Sequence, residues 1–504
     1  MNILKVITFA FGITHSIHVF PQDVSFYIQI EDPKIVPASV TNKSSDDVLF
    51  FAKTTELNEL YSEYNISKFE IAFPTALTPS LKNVYYVECD DKNLGIELSN
   101  RYKEKIPRLE FLEKPTPTYT PNDYSLESNQ TNLDLTNAKE AWDYTSELPI
   151  IDVAVTDTYF DLSHEDLNMT LVGGTNSPYI PAEELPHGTA VAGLVGTTTD
   201  NNIGLASIAF NSDLAVSTIR SDNEVLLLAQ AGYRVINCSW MNSCIFISTQ
   251  KELYDEIRNV WGAIVVFGAG NASSHHCGNN NPSYPASYES NIAVTSVGHI
   301  HDVGTPGSPA NNWKDVHEEV IGDSLLAHKH HPTMDICAPG YNVPTTDLMG
   351  SAGTSSGNYK GSWGTSFAAP QVSGALALIL SINPCLSADE AVDILLMNAD
   401  NSIYNISENL QYIGRIGIGR LDVEASVAAS VESATTYLED MVISGNETIE
   451  DNYAIRIVNN VYIPSGSHIS FKTRKGVTIN SNFEVAAGAE VTIDVNVNNN
   501  INCN

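Results

Sequence analysis

The chain is poor in basic side chains, with 26 Lys and Arg against 60 Asp and Glu in 504 residues. The resulting net charge of −34 argues against nucleic acid or an anionic membrane as a partner, because both are themselves negatively charged. It suits a soluble, exported protein. The length indicates two to four domains, and an apolar content of 43% is enough for a sizeable core.

Cysteine is also sparse. The seven cysteines are an odd number spread over a long chain, which is unlike a disulfide scaffold. No CxxC spacing occurs, so the sequence does not predict a zinc site. Cys238 and Cys337 lie in predicted buried strands, and we interpret them as small apolar core residues.

Long hydrophobic runs are missing as well. No stretch approaches the roughly 18 apolar residues that would suggest a membrane span. The run 6–13 that follows Lys5 is shorter, and Thr14 and Ser16 come after it at cleavage-like spacing. We therefore predict a signal peptide over 1–21 and a secreted or cell-surface protein. The alternative interpretation of this segment is a first core strand.

Two regions precede the main body of the chain. Residues 22–114 combine strand-like and helix-like runs and predict a small α+β domain. The expected strands are 24–30, 68–73, 83–89 and 107–112, and the expected helices are 54–64 and 92–105. Residues 115–136 are predicted to be a linker and an N-terminal segment, because the stretch up to about 132 is rich in Pro, Thr and Asn. We expect the linker to be exposed.

From 137 to 433, short and continuous Val/Ile/Ala runs alternate with helix-compatible stretches. Continuous rather than alternating apolar runs are typical of strands that are buried on both faces. The pattern predicts an α/β domain whose mostly parallel sheet is flanked by helices on both faces.

The tail, 434–504, is β-rich and carries a weak repeat. Gly445, Gly466 and Gly488 recur at steps of 21 and 22 residues. With about three copies, we expect a small β-rich module rather than a solenoid. We also expect little apolar surface of the preceding domain to depend on it.

Four short segments place polar side chains at predicted strand ends or helix starts, where open parallel sheets form their sites. Ser366 opens an apolar helix, and we place Pro370 in the first turn of that helix, where a missing N–H costs little. A serine hydroxyl becomes a nucleophile only beside a base, and the base needs an orienting carboxylate. The other three segments supply such groups in Asp157, His187 and Asn271.

These segments, "DVAVTDTYFD", "PHGTAVAG", "VVFGAGN" and "GTSFAAP", resemble the subtilisin-like serine proteases in kind and in chain order. The resemblance covers about 137–430. It implies that Asp157 orients His187, that His187 is the general base, and that Ser366 is the nucleophile. Asn271 would donate its amide to the oxyanion. Implied substrate-binding residues are Ser239, Trp240, Met241, Gly268, Ala269 and Gly270.

The same resemblance implies further features. No cofactor is needed for the chemistry, and the substrates are proteins or peptides. A structural calcium would be held by Asp166, Asp200 and Asn202; the alternative is that these are ordinary acidic turns. Cys244 and Cys277 are placed to form a disulfide. Residues 22–114 would be a propeptide that inhibits the enzyme and is removed by self-cleavage between about 113 and 132.

Two other functions are kept open. Tyr159 and Met241 stand where the family usually has Gly, which favours a binding or structural protein on an inactivated form of the same fold. The segment "GTSSG" around Ser355 fits the nucleophile motif of lipases and esterases, but a loop-like sequence follows it where that motif needs a helix.

Overall fold

A computed structural model describes residues 24–41, 48–52, 54–64, 66–72, 81–89, 93–112, 119–146, 148–182, 184–271, 277, 281–298, 329–353, 357–479 and 482–496. The predicted signal peptide and Ser355 lie outside these residues. The chain divides into two compact units, Met1–Pro115 and Thr116–Asn504.

The first unit is a four-stranded antiparallel sheet with two helices, as the sequence predicts. Phe26 and Ile28 of the sheet and Leu57, Leu60 and Leu94 of the helices are buried in one cluster. The sheet order is β4-β5-β1-β6, and the hairpin β2–β3 was not anticipated. The elements are β1 (Val24–Gln29), β2 (Ala38–Thr41), β3 (Val48–Phe51), α1 (Thr55–Ser62), β4 (Ile66–Ile71), β5 (Val84–Cys89), α2 (Asn93–Arg101) and β6 (Arg108–Leu112).

The second unit begins with an α/β domain built from alternating strands and helices. Its elements are α3 (Thr131–Leu135), α4 (Ala138–Thr145), β7 (Val153–Thr156), β8 (Met169–Gly173), α5 (His187–Gly196), β9 (Leu214–Ser217), α6 (Asp222–Gln230), β10 (Val235–Cys238), α7 (Ser248–Asn259), β11 (Ile264–Gly268), β12 (Asn291–Val297), β13 (Ile336–Pro339), β14 (Val343–Thr346), β15 (Tyr359–Ser362), α8 (Thr365–Ile382), α9 (Ala388–Met397) and α10 (Val423–Ser433).

The predicted parallel sheet is confirmed. Within the described residues, seven strands pair in parallel in the order β13-β12-β11-β10-β7-β9-β8. Successive residues of β7 enter different cores: Val153 and Val155 join the cluster that includes α5 and α8, whereas Ala154 joins the cluster that includes α6 and α7. Both faces of the sheet are therefore buried, which explains the continuous apolar runs.

Helix α8 is the central helix of this domain and contacts strands β10 to β13 as well as α5 and α10. Its length and apolar composition would be enough to cross a membrane, yet 94% of this 18-residue helix is buried inside the protein. Burial on all sides explains why the helix carries no polar face.

The segment predicted as a linker is partly a packed region. Asp123, Gln130 and Leu133 are buried, and the Tyr119 amide donates to Asp143 at 3.0 Å. The prediction of an exposed linker is therefore wrong from Tyr119 onward. The polar composition misled it, because Asn and Gln here serve as buried hydrogen-bonding groups, as when the Gln130 amide donates to the Ala206 carbonyl at 2.7 Å.

The tail is a solenoid, contrary to our expectation. Strand β16 (Thr435–Val442) pairs in parallel with β18 (Ala454–Ile463), and β18 pairs in parallel with β20 (Gly476–Ile479) and β21 (Phe483–Val485). On the other face, β17 (Asn446–Asp451), β19 (His468–Thr473) and β22 (Glu490–Val495) do the same. Each repeat of about 22 residues is thus one coil of a parallel β-stack.

The tail also packs on the α/β domain more closely than we expected. Tyr453 and Ala454 belong to the same buried cluster as α8. The buried Arg474 donates from Nη1 to the Ser381 carbonyl at 2.6 Å, near the end of that helix. The expectation that little apolar surface depends on the tail is therefore wrong.

Candidate active site

A carboxylate and an imidazole meet at the carboxyl end of strand β7. Asp157 follows β7 directly and is fully buried. Nδ1 of His187 lies 2.8 Å from Oδ1 and 2.9 Å from Oδ2 of this carboxylate. Oδ1 also accepts from the Thr158 amide at 2.7 Å. The carboxylate is thus fixed, and it fixes the plane of the ring in turn.

His187 can come this close because Gly188 follows it. A Cβ atom on Gly188 would lie 2.3 Å from the Tyr159 carbonyl oxygen and 3.0 Å from Cβ of Asp157. Any larger residue would push the start of α5 away from the strand end. The small residue after the histidine is therefore a requirement of the site's geometry.

Ser366 is the second residue of α8, and its main-chain carbonyl lacks the usual helix hydrogen bond. Pro370 is the sixth residue of the helix, so our placement of it in the first turn is wrong. It removes the N–H that would donate to the Ser366 carbonyl. The Ser239 hydroxyl donates to that carbonyl instead, at 2.8 Å.

The Ser366 hydroxyl also contacts Ser239. Oγ of Ser366 donates to the Ser239 carbonyl at 3.3 Å. The Ser239 hydroxyl itself accepts from the Asn237 amide at 3.1 Å, and Asn237 accepts from Ser373 at 3.0 Å. Next along α8, the Phe367 ring lies 5.5 Å from the His187 ring. Ser366 and His187 are thus brought to the same edge of the sheet.

Asn271 lies just beyond β11 and faces the residues before Ser366. Its Oδ1 accepts from the Thr365 amide at 3.0 Å, which leaves Nδ2 as the donor. Gly364 has φ 121° and ψ 169°, and a Cβ atom there would lie 2.8 Å from Nδ2 of Asn271. Glycine at this position is what leaves room for the amide.

The predicted substrate-binding residues form two neighbouring main-chain segments. Ser239 touches Ser366 as described. The Trp240 indole instead lies in the core, where it donates to the Thr156 hydroxyl at 2.7 Å and stacks edge-on against Phe267. Met241 is half-buried. Gly268, Ala269 and Gly270 lead from β11 to Asn271, and the Gly270 amide donates to the Thr365 hydroxyl at 3.0 Å.

This geometry can be set beside known proteins. The sequence model described as "Subtilase family" matches residues 151–414, more than half of the chain and all four predicted catalytic positions. The chain belongs to the subtilase family. This confirms the resemblance drawn from the four motifs.

Three characterised relatives illustrate the match. The thermophilic serine proteinase of Bacillus sp. (strain AK1) is 29% identical over 55% of this chain and 64% of that protein. Thermitase of Thermoactinomyces vulgaris is 31% identical over 38% and 74%. The calcium-dependent protease of Nostoc sp. is 29% identical over 64% and 54%. The match thus spans less than two thirds of the Bacillus and Nostoc proteins.

In this subtilase, two buried carboxylates lie where we expected a calcium site, but one of them was not anticipated. Asn201 joins them: its amide Nδ2 donates to Asp166 at 3.0 Å, and its backbone N–H donates to Asp123 at 3.2 Å. Burial raises the pKa of Asp166 to about 7, and burial also raises that of Asp123. Oδ1 of Asp123 is buried and has no hydrogen-bond partner within the part of the chain that the structure describes.

The other predicted calcium residues lie at the surface, beside Asp123 and Asp166. Asp200 and Asn202 are exposed. The Asp200 carboxylate accepts from the backbone N–H of Asn122 at 3.0 Å, and the backbone N–H of Asn202 donates to the side-chain oxygen of Asn122 at 2.6 Å. Among the described residues, no three His, Cys, Asp or Glu side chains group as a metal site. An ion here would therefore need amide and main-chain oxygens as well.

The cysteines agree with the sequence interpretation. Cys244 and Cys277 form a disulfide with Cα atoms 5.3 Å apart. This bond links the segment after Met241 to the segment after Asn271. Cys238 and Cys337 are buried free thiols in β10 and β13.

Proposed function

We propose that the protein is a serine endopeptidase that cleaves proteins or peptides through an acyl-enzyme. The observation that carries the proposal is the Asp157–His187 pair, with both carboxylate oxygens within 2.9 Å of Nδ1, on the same sheet edge as Ser366. An inactive binding protein would have no need to keep a fully buried carboxylate on a half-exposed histidine.

In the proposed reaction, Asp157 accepts a hydrogen bond from Nδ1–H of His187, which keeps the proton on Nδ1 and leaves Nε2 free as a base. His187 takes the proton of Ser366 as Oγ attacks the carbonyl carbon, and then gives it to the leaving amine. Nδ2 of Asn271 donates to the oxyanion that forms. Water repeats the sequence on the acyl-enzyme and restores Ser366.

The direct test is peptidase activity of a Ser366→Ala protein. We expect the activity to disappear while the far-ultraviolet circular dichroism stays unchanged. Ser381→Ala is the matched control, because it removes a buried hydroxyl from the same helix near its other end. Ordinary activity of the Ser366→Ala protein would contradict the proposal.

We further propose that residues 22–114 are a propeptide removed by the enzyme itself. Support comes from the separate compact unit that ends at Pro115 and from the packing of the chain from Tyr119 onward. The cut therefore falls between Leu112 and Tyr119, earlier than most of the range that the sequence suggested. N-terminal sequencing should find the mature start there in the active protein and an intact precursor in the Ser366→Ala protein. If both proteins carry the same new N-terminus, another protease makes the cut.

Export is part of the same proposal. The apolar segment after Lys5 and the acidic composition support a signal peptide over 1–21 and a secreted or cell-surface enzyme. Fractionation of expressing cells should recover the activity outside the cytoplasm. Full retention inside the cell would contradict export.

We also propose a structural calcium at Asp123 and Asp166, together with oxygens of the 200–205 loop. Asp123 and Asp166 are two buried carboxylates that both accept from Asn201, and Oδ1 of Asp123 has no hydrogen-bond partner among the described residues. This arrangement fits a hard cation. The relative from Nostoc is named as calcium-dependent. The ion would neutralise the buried charge and take no part in the chemistry.

Calcium that binds the folded state raises its stability by mass action. Chelation should therefore lower the melting temperature of the protein, and Asp123→Asn should abolish the difference. Asp393→Asn, which removes an exposed carboxylate on α9, should keep it. A melting curve that does not respond to chelator would remove the ion from the account.

A further inference from the structure

An exposed tryptophan lies three residues before Ser366. Trp363 is 42% exposed, although the residues on either side of it, Ser362 and Gly364, are buried. The main chain is fixed on both sides: Ser362 ends β15, which pairs with β14, and the Gly364 amide donates to the Gly340 carbonyl at 2.8 Å. The indole is therefore carried by a well-held main chain and presented to solvent at the start of α8.

The strand order places Trp363 beyond the predicted substrate-binding segments. Those segments follow β10 and β11, whereas the Trp363 ring lies 6.5 Å, edge-on, from the ring of Tyr341, which follows β13. The sheet order is β13-β12-β11-β10, so the strand that leads to Asn271 lies between those that lead to Ser239 and to Tyr341. An extended substrate that is held at Ser239 and crosses Asn271 therefore reaches Trp363 next.

The chemistry assigns Trp363 to the half of the substrate that leaves first. The leaving amine takes its proton from His187, so its nitrogen lies beside this ring. The His187 ring is 5.5 Å from the ring of Phe367, which lies in the first turn of α8. Trp363 precedes the N-cap of the same helix, Gly364, and side chains at that position commonly lie against the first turn. The leaving half thus departs over a turn beside which Trp363 offers an exposed aromatic ring.

We propose that Trp363 binds an apolar or aromatic side chain among the first three residues after the cleaved bond. The inference rests on the proposed peptidase function and adds a substrate preference to it. The chain from Trp363 to Ser366 spans at most about 10 Å, a distance that an extended substrate covers in about three residues. An aromatic contact of this kind strengthens binding by about two- to tenfold.

Acyl transfer tests the proposal, because it probes the leaving-group side of the site while the acyl half stays the same. A peptide ester acylates Ser366 and releases its alcohol, and the acyl group then passes either to water or to the amine of an added peptide. In the second case a new peptide bond forms as the Ser366 ester breaks, and His187 carries the amine proton to Oγ. The ratio of the two products is measured for trialanine amide and for its three variants with a single Phe.

At least one of the Phe-containing peptides should capture the acyl group about three- to tenfold better than trialanine amide. Trp363→Ala should reduce this preference to less than about twofold, and Trp363→Phe should keep most of it. Ester hydrolysis without added peptide should stay within about twofold of the wild-type rate. Trp261→Ala is the matched control, because this indole is 40% exposed but lies before β11, at the opposite edge of the sheet.

The outcomes separate this inference from the proposed function. Equal capture of all four peptides by the wild-type enzyme, or a Phe preference that survives Trp363→Ala, would overturn the role of Trp363 and leave the peptidase function in place. A loss of ester hydrolysis in Trp363→Ala as large as the loss of capture would also overturn it, since the residue would then only support the fold. Failure of the wild-type protein to hydrolyse the ester would overturn the proposed function, and this inference with it.

Discussion

The Ser239 hydroxyl should contribute more to the free energy of unfolding because Pro370 is present. Pro370 lacks the N–H that would reach the Ser366 carbonyl, and the Ser239 hydroxyl occupies that place at 2.8 Å. Ser239→Ala therefore orphans a main-chain carbonyl at the start of α8, which costs about 1–3 kcal/mol. It also removes the acceptor of the Asn237 amide.

Pro370→Ala restores the missing N–H and so returns a partner to the carbonyl. In that background, Ser239→Ala should cost only the Asn237 bond, about 1 kcal/mol. The coupling between the two sites is then about 1–3 kcal/mol. For a domain of this size it corresponds to a difference of about 2–6 °C in melting temperature. The loss of ring volume at position 370 cancels in the cycle.

The assay is thermal unfolding of the four proteins in a Ser366→Ala background, which keeps the carbonyl but prevents self-digestion. Ser430 provides the matched control, because its hydroxyl donates to the Ile379 carbonyl at 2.8 Å, and that carbonyl also accepts from the Asn383 amide. Ser430→Ala should show no coupling to Pro370→Ala. Equal costs of Ser239→Ala in both backgrounds would refute the reasoning.

Two further substitutions test other contacts. Gly364→Ala should lower turnover by up to about 10²–10³-fold, the loss known for one such oxyanion donor in a subtilisin, because the new Cβ atom displaces Asn271. The control is Gly232→Ala, at φ 97° with nothing within 4 Å, which should leave turnover unchanged. Equal effects of the two substitutions would assign the loss to backbone strain. Arg474→Met should lower the melting temperature by several degrees, whereas the exposed Arg456→Met should lower it by about 1–2 °C, the value of an exposed cation–π contact. An unaltered melting curve for Arg474→Met would show that the contact of Arg474 with α8 contributes no stability.

The candidate catalytic residues could be found in the sequence because each lies in a local pattern. Asp157, His187, Asn271 and Ser366 follow a buried strand or open a helix, and the order of the four segments along the chain identified the family. What brings them together is the parallel sheet, which places successive strand ends at one edge. The continuous apolar runs already indicated such a sheet.

The errors came from boundaries and from distant contacts. The sequence did not show that α8 starts at Thr365, so Pro370 was placed one turn too early and the role of Ser239 was missed. Asp123 was hidden in a stretch whose composition is that of a linker, and only the folded chain shows that it is buried beside Asn201. Three short repeats were too few to distinguish a solenoid from another β-module.

Covalent labelling tests the central claim most directly. A fluorophosphonate probe reacts with a serine only where a base activates the hydroxyl and donors hold the resulting oxyanion. The account predicts one labelled peptide, containing Ser366, and no labelling of the His187→Ala protein. Labelling at Ser355, or labelling of Ser366 that does not depend on His187, would contradict the proposed mechanism.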